Sequence, residues 1–261
     1  MWIGLLGYEV REALRGRWVW AYGAFFLLLT EGLFRFASDP ARVSVGLLNV
    51  VLFIVPVVAL FWALVGFYQT RDFLELILSQ PVPRRWVLWT KIGSGAGTLI
   101  LFFAIGILIP YLLHARGQWA ALSEGLWLVG TGSLLIVIYY GIGFGLAVTR
   151  EDRTRAFGIG MVFWFFTAVL YDALLLLLLL LLRDYPVERP AFVLTFFNPL
   201  DLARILLTMR LEAALLMGYT GALYERLLGG VLGQLIALGV LLLWAVGPLG
   251  WAQWRFMRRD F

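Results

Sequence analysis

The sequence predicts an all-α polytopic membrane protein with six transmembrane helices. Three observations carry this. The chain is 62% hydrophobic with only 14% charged residues, whereas a soluble domain carries about 25% charged residues. Its mean hydropathy is +0.90. Its apolar residues gather in six stretches close to or longer than the ~20 residues that cross a bilayer, at Trp18–Phe36, Val43–Tyr68, Trp86–Leu113, Leu122–Val148, Ala156–Leu182 and Leu227–Trp251. Residues 1–261 read as one transmembrane domain. Trp18, Trp20, Trp86, Trp89, Trp119, Trp251 and Trp254 lie near the ends of these stretches, as an aromatic belt requires.

Residues 1–17 place Ile3, Leu6, Val10, Ala13 and Leu14 on one side of a helix and Glu9, Arg11, Glu12 and Arg15 on the other. This is the pattern of an interfacial helix lying on the membrane. It is not the pattern of a cleavable signal, since charges run through it. Thirteen Lys and Arg residues fall in the N-terminus, the 69–91 and 149–155 connections and the C-terminal tail, against eight spread over the other connections. The positive-inside rule places both termini in the cytoplasm. The net charge of +5 therefore reflects short basic loops and no nucleic-acid partner. The absence of cysteine excludes a disulfide framework and a thiolate metal site.

The most patterned polar interruption is Gln69–Lys91, QTRDFLELILSQPVPRRWVLWTK. Thr70 is placed to cap a short helix ending at Leu78, with Asp72 in its first turn. Phe73, Leu76 and Ile77 are expected to share a face, and Arg71, Asp72 and Glu75 to lie on others. Gln80 precedes Pro81, which ends the helix near Ser79. Pro83 suits the first turn of the next helix, and Arg84 and Arg85 sit at the bilayer face. The connection TREDRTR, with Arg150, Glu151, Asp152 and Arg153, is a second charged element on the same side.

Span five carries nine consecutive leucines, Leu174–Leu182, and the 44 residues from Arg183 to Arg226 that follow exceed a bare connection. Within them Asn198 is placed to cap a helix that opens on Pro199. Leu202, Ile205, Leu206 and Met209 form its apolar stripe, against Asp201, Arg204 and Arg210. This predicts a second interfacial helix on the outer face. GSGAGT at Gly93–Thr98 superficially resembles a phosphate loop, but lacks the Lys-Ser/Thr ending and opens a span. Close helix packing through Gly93, Gly97, Gly141 and Gly145 is the expectation instead.

Two carboxylates are read within spans. Glu31 has Arg35 one turn away and suits a structural ion pair. Asp172 is deeper, and a carboxylate there needs a partner or a cavity. Tyr139 or Tyr140 would supply a partner, and both readings stay open. No catalytic residues are assigned. The one histidine, His114, has no second histidine to join it, which excludes a metal cluster or a hydrolytic dyad built on imidazoles.

The segment LELILSQPVPRRWVLWTKIG is similar to the stretch after the second span of ABC-2-type permeases, through Leu74, Glu75, Leu76, Leu78, Ser79, Pro81, Val82, Arg84, Leu88 and Lys91. Tyr171-Asp172 before the leucine run, followed by Phe197-Asn198-Pro199-Leu200-Asp201, resembles the NosY-type members that serve maturation of the copper enzyme nitrous oxide reductase. The resemblance implies a homodimeric inner-membrane permease with an elbow helix at 1–17 and a cytoplasmic coupling segment at 69–85. It also implies two ABC ATPase subunits that bind ATP and Mg, so that this chain binds no cofactor. On the outer face it implies a periplasmic partner of NosD type and a copper chaperone lipoprotein, with membrane lipid around the spans. An exporter of a lipid, drug or glycan shares the coupling motif and is the alternative. Copper is not expected to pass through this chain. Cu(I) needs soft ligands in series, and of five methionines only Met161 lies in a span.

Overall fold

The computed structural model describes residues 16–37, 39–114, 119–181, 193–210 and 231–259, together with Gly7 and Arg11. The elbow helix expected at 1–17 and most of the Arg183–Arg226 segment lie outside the described residues. The described elements are α1 (Arg17–Phe36), α2 (Pro40–Gln69), α3 (Arg71–Leu78), α4 (Arg84–His114), α5 (Trp119–Thr149), α6 (Arg153–Phe165), α7 (Tyr171–Leu181), α8 (Pro199–Arg210) and α9 (Val231–Arg258). A π-helical segment, Phe166–Leu170, joins α6 to α7. Among the described residues, six helical stretches are long and apolar enough to cross a membrane. Five agree with the sequence reading to within a few residues. The sixth runs to Arg258, seven residues beyond the expected end at Trp251.

Local chemistry explains several boundaries. Asp39 accepts from Ala41 N and Pro40 opens α2, at a position where the N–H that proline lacks would have had no partner within the helix. Asp152 accepts from Thr154 N at 2.8 Å and begins α6. Pro56, Pro110 and Pro248 lie inside α2, α4 and α9, which neighbouring helices tolerate in a membrane bundle.

α5 is the axis of the bundle. It packs against α2, α4, α6, α8 and α9, while α1 leans on α4 and α2. Glycines set how closely its neighbours approach. A Cβ at Gly143 would lie 2.4 Å from the Leu60 carbonyl oxygen of α2, and one at Gly145 would meet the Trp251 ring of α9. Gly132 receives Phe103 and Gly125 receives Tyr111, both from α4. The expectation for Gly141 and Gly145 therefore holds, since both face α9. The expectation for Gly93 and Gly97 does not: a side chain at either would meet nothing within 4 Å. The glycine that packs in that turn is Gly95, against Tyr140. A small-residue pattern gives the spacing of a face but not which face turns inward.

The π segment was not expected. It widens span five by one residue, and Thr167 within it donates back to the Phe163 and Trp164 carbonyls. Such a bulge frees backbone groups for other partners.

Replacing Gly143 by alanine is expected to destabilise the chain by about 1 to 3 kcal/mol through overpacking against backbone. Gly93→Ala should be neutral or mildly stabilising. Thermal unfolding in detergent, followed by tryptophan fluorescence, distinguishes the two.

Candidate functional site

The first site lies at the end of the bundle that carries α3. A single residue, Thr70, joins α2 to α3. Its hydroxyl does not cap α3 as expected but donates to the Gly66 carbonyl at 2.7 Å, because the carbonyls at the end of α2 are the nearer unsatisfied acceptors. α3 ends at Leu78, and Ser79 donates to Leu76 O. Leu74 and Ile77 are buried against the bundle. Leu76 turns outward, 59% exposed, with Phe73 beside it on the outer side. The predicted apolar face of Phe73, Leu76 and Ile77 is thus rotated, since helices on only one side bury α3 and take Leu74 in place of Leu76.

Arg71 and Glu75 form an exposed i, i+4 pair at 3.1 Å, of little energetic weight. Asp72, Ser79, Pro81 and Arg85 are exposed. Arg84 is not free to meet a partner in the way expected. Its guanidinium donates to the Arg259 carbonyl at 3.0 Å and the Met257 carbonyl at 3.4 Å, closing the C-terminus of α9. Arg259 in turn donates to the Ala147 and Val148 carbonyls at the end of α5 and lies over the Phe67 ring of α2. Orphan carbonyls at two helix ends are therefore satisfied by cations, which the helix dipoles also favour. Arg259 was missed as a site residue. Its signal was a cluster of arginines at the end of a long helix, which had served only to set topology.

The Tyr68 hydroxyl donates to the Arg150 carbonyl at 2.8 Å. This holds the 150–153 connection next to the start of α3, so the two charged elements separated by some 80 residues share one surface. Arg150, Glu151, Asp152 and Arg153 are exposed. Asp152 also pairs with Arg155 at 3.3 Å.

The second site lies at the opposite end, where α8 meets span five. Asn198 caps α8 as expected, accepting from Leu200 N at 3.1 Å, with Pro199 the first helical residue. Its amide also donates to the Thr167 carbonyl in the π segment at 2.9 Å. The Thr167 hydroxyl bonds to Tyr139 of α5 at 2.8 Å. Tyr171 donates to the Leu194 carbonyl, and Trp244 of α9 donates to the Phe196 carbonyl at 3.0 Å. Arg210 stacks on Trp127, 4.3 Å from its centroid.

Asp172 has a partner that the sequence did not indicate. Arg204 of α8 donates to it at 2.6 Å, while Tyr139 and Tyr140 bond elsewhere. The same guanidinium nitrogen lies 3.5 Å from Asp201, so the two carboxyls meet at one cation. Asp201 is buried, not solvent-facing as expected. Burial, followed by the neighbouring Asp172, pushes its carboxyl up to about 7. Leu202 and Leu206 are also buried. They pack inside the bundle and do not offer a surface to an outer partner, because α8 contacts α2, α5 and α9 together. Among the described residues just before α8, Phe197, 64% exposed, and Val193 are the exposed apolar side chains.

Glu31 pairs with Arg35 at 3.3 Å as expected, and His114 lies 3.8 Å from its other oxygen. His114 Nδ1 also donates to the Pro110 carbonyl at 2.9 Å and its ring stacks on Phe34. A third carboxylate in a span was overlooked. Glu124 of α5 accepts from Ser44 of α2 at 2.7 Å, and Ser44 bonds to Tyr111 of α4. The group is a polar tie between three helices.

The Asp172–Arg204–Asp201 contact sets a pH dependence. The folded pKa of Asp201 lies above its unfolded value near 3.8, so between these values the folded state holds the extra proton. Stability is then expected to fall as pH rises from about 4 to 7, with a slope no steeper than about 1.4 kcal/mol per pH unit. Asp201→Asn should flatten this dependence. Thermal unfolding of both proteins across that range provides the check.

The family described as ABC-2 family transporter protein matches residues 50–261. A probable ABC transporter permease protein NosY from Pseudomonas aeruginosa is 29% identical over 233 residues, 79% of this chain and 81% of that protein. Its counterpart from Stutzerimonas stutzeri is 27% identical over 222 residues, 76% and 78% of the two chains. With six apolar helices, of which α5 is the most buried, and a short amphipathic helix after the second, the chain belongs to the ABC-2 family and is a membrane-embedded permease subunit of an ABC transporter.

Proposed function

We propose that α3 and the 150–153 connection form the docking face for a cytoplasmic ABC ATPase, and that two such ATPases serve a homodimer of this chain. ATP and Mg bind in that partner. The carrying observation is the split of α3, with Leu74 and Ile77 anchored in the bundle and Phe73 and Leu76 turned outward. A surface helix held from behind transmits a push instead of absorbing it. Arg84 and Arg259 tie the neighbouring ends of α2, α4, α5 and α9 together, so a displacement of α3 moves them as a group. α5 carries it inward as far as Tyr139, from which Thr167 and Asn198 continue a hydrogen-bonded path into α8.

In this reading both termini are in the cytoplasm of an inner-membrane protein, and α8 faces the periplasm. The two NosY relatives support a role in maturation of the copper sites of nitrous oxide reductase. There a periplasmic partner of NosD type, with a copper chaperone lipoprotein, would be reshaped by the motion of α8. Its contact is assigned to the exposed Phe197 and Val193. A second reading, an exporter of a lipid, drug or glycan, is favoured by one observation, a cavity at the α3 end of the bundle.

Phe73→Asp with Leu76→Asp is expected to weaken ATPase co-purification by about 30-fold or more, the scale for removing an apolar anchor, while the folded permease persists. Wild-type ATPase retention by the double variant would refute the docking face.

A further inference from the structure

We propose that the contact of Asp172, Arg204 and Asp201 is a proton-binding site that latches α8 to span five, closed with one proton bound and open without it. The inference rests on the reading of α8 as the element that moves at its end of the molecule, and it names the regulation of that motion. One guanidinium nitrogen of Arg204 lies 2.6 Å from Asp172 Oδ2 and 3.5 Å from Asp201 Oδ1. Two carboxyls from two elements therefore share one cation, and among the described residues no second cation pairs with either. Asp201 is 6% exposed, and its Oδ1 accepts no hydrogen bond among the described residues.

One positive charge balances one carboxylate. With both carboxyls ionised, a surplus negative charge stays buried between α8 and span five, which is costly. A single proton removes the surplus and supplies the O–H donor that the pair lacks. It belongs to the pair and not to either residue. The side chains of Asp172 and Arg204 are partly exposed, so the site is open on one side to proton exchange. The titratable groups that face Asp201 from other elements are Asp172 and Tyr171 of α7 and Tyr139 of α5. The two phenols bond to the Leu194 carbonyl and to Thr167. α2 and α9 also pack on α8 and, among the described residues, present no charged group to Asp201. Burial, and then Asp172, make the docked carboxyl hold its proton up to about pH 7, against about 3.8 when free. Docking of α8 is therefore favoured most below about pH 4, weakens as pH rises, and levels off above about 7. On the permease reading α8 faces the periplasm, so the latch senses pH outside the cytoplasm.

The chain has no cysteine, so a single introduced thiol carries a nitroxide spin label to a chosen place. Met209→Cys labels α8 at a half-buried position, and Leu126→Cys, in a separate protein, labels an exposed position on α5. The full-length permease is measured in phosphatidylcholine nanodiscs, without ATPase, from about pH 4 to about pH 9. The α8 label is expected to gain mobility as pH rises to about 7, the docked-to-free ratio falling by no more than about tenfold per pH unit. The α5 label should not change. Asp201→Asn and Asp172→Asn each leave one carboxyl for one cation, so each should hold the α8 label immobile at every pH. An α8 label indifferent to pH in the otherwise unchanged chain would overturn the proposal. So would a looser α8 at every pH in both asparagine variants, which is what carboxyls serving only as structural ties would give. A pH response that survives in both variants, or that the α5 label shows equally, would overturn it as well. The ATPase takes no part, so failure of the latch and failure of the docking face on α3 are separate results.

Discussion

The burial of α5 is the constraint on which the rest depends. Inside a membrane, helices gain little from hiding apolar surface, because lipid is as apolar as their neighbours. Close packing and internal polar bonds must hold them instead. α5 meets this condition with glycines where α2, α4 and α9 approach it, at Gly125, Gly132, Gly143 and Gly145. Aromatic rings from the neighbours fill the space left at Gly125, Gly132 and Gly145, and the α2 backbone at Leu60 comes up against Gly143. Ser44, Tyr111 and Glu124 add a polar tie between α2, α4 and α5 near one end of the bundle, so that the buried hydroxyls are not left without partners. The same close contact makes α5 a stiff connection between the two ends of the molecule.

Those ends solve one problem in two ways. At the α3 end, the unsatisfied groups are helix C-terminal carbonyls, and two arginines answer them across elements. At the α8 end, the unsatisfied group is a carboxylate within a span, and Arg204 answers it from a separate helix. Each solution joins elements remote in sequence, so each end behaves as a unit. The π segment contributes to the second unit by exposing the Thr167 carbonyl to Asn198. Burial, and then the neighbouring Asp172, raise the affinity of Asp201 for a proton, which makes the α8 contact sensitive to pH.

The spans, the short helix α3 and the cap at Asn198 were legible in the sequence because each is written in consecutive residues. Hydropathy over 20 or more positions defines a span, and Asn-Pro defines a helix start. What was not legible is which face of an element turns inward. Gly93 and Gly97 have the same spacing as Gly141 and Gly145, yet only the second pair meets a neighbour. Leu76 is as apolar as Leu74 and faces the other way. Pairings across elements were equally hidden: Arg204 for Asp172, Ser44 for Glu124, and Arg84 for the end of α9. The π segment carries no sequence mark that separates it from ordinary helix.

The central claim is that a push on α3 reaches α8 through α5. Hydrogen–deuterium exchange of the permease with its ATPase, nucleotide-free and trapped with a non-hydrolysable ATP analogue, tests this most directly. The account predicts that trapping changes exchange in α3 and also in the 166–171 and 193–210 segments at the far end. Changes confined to α3 and the 150–153 connection, with exchange in those two segments unaltered, would contradict it.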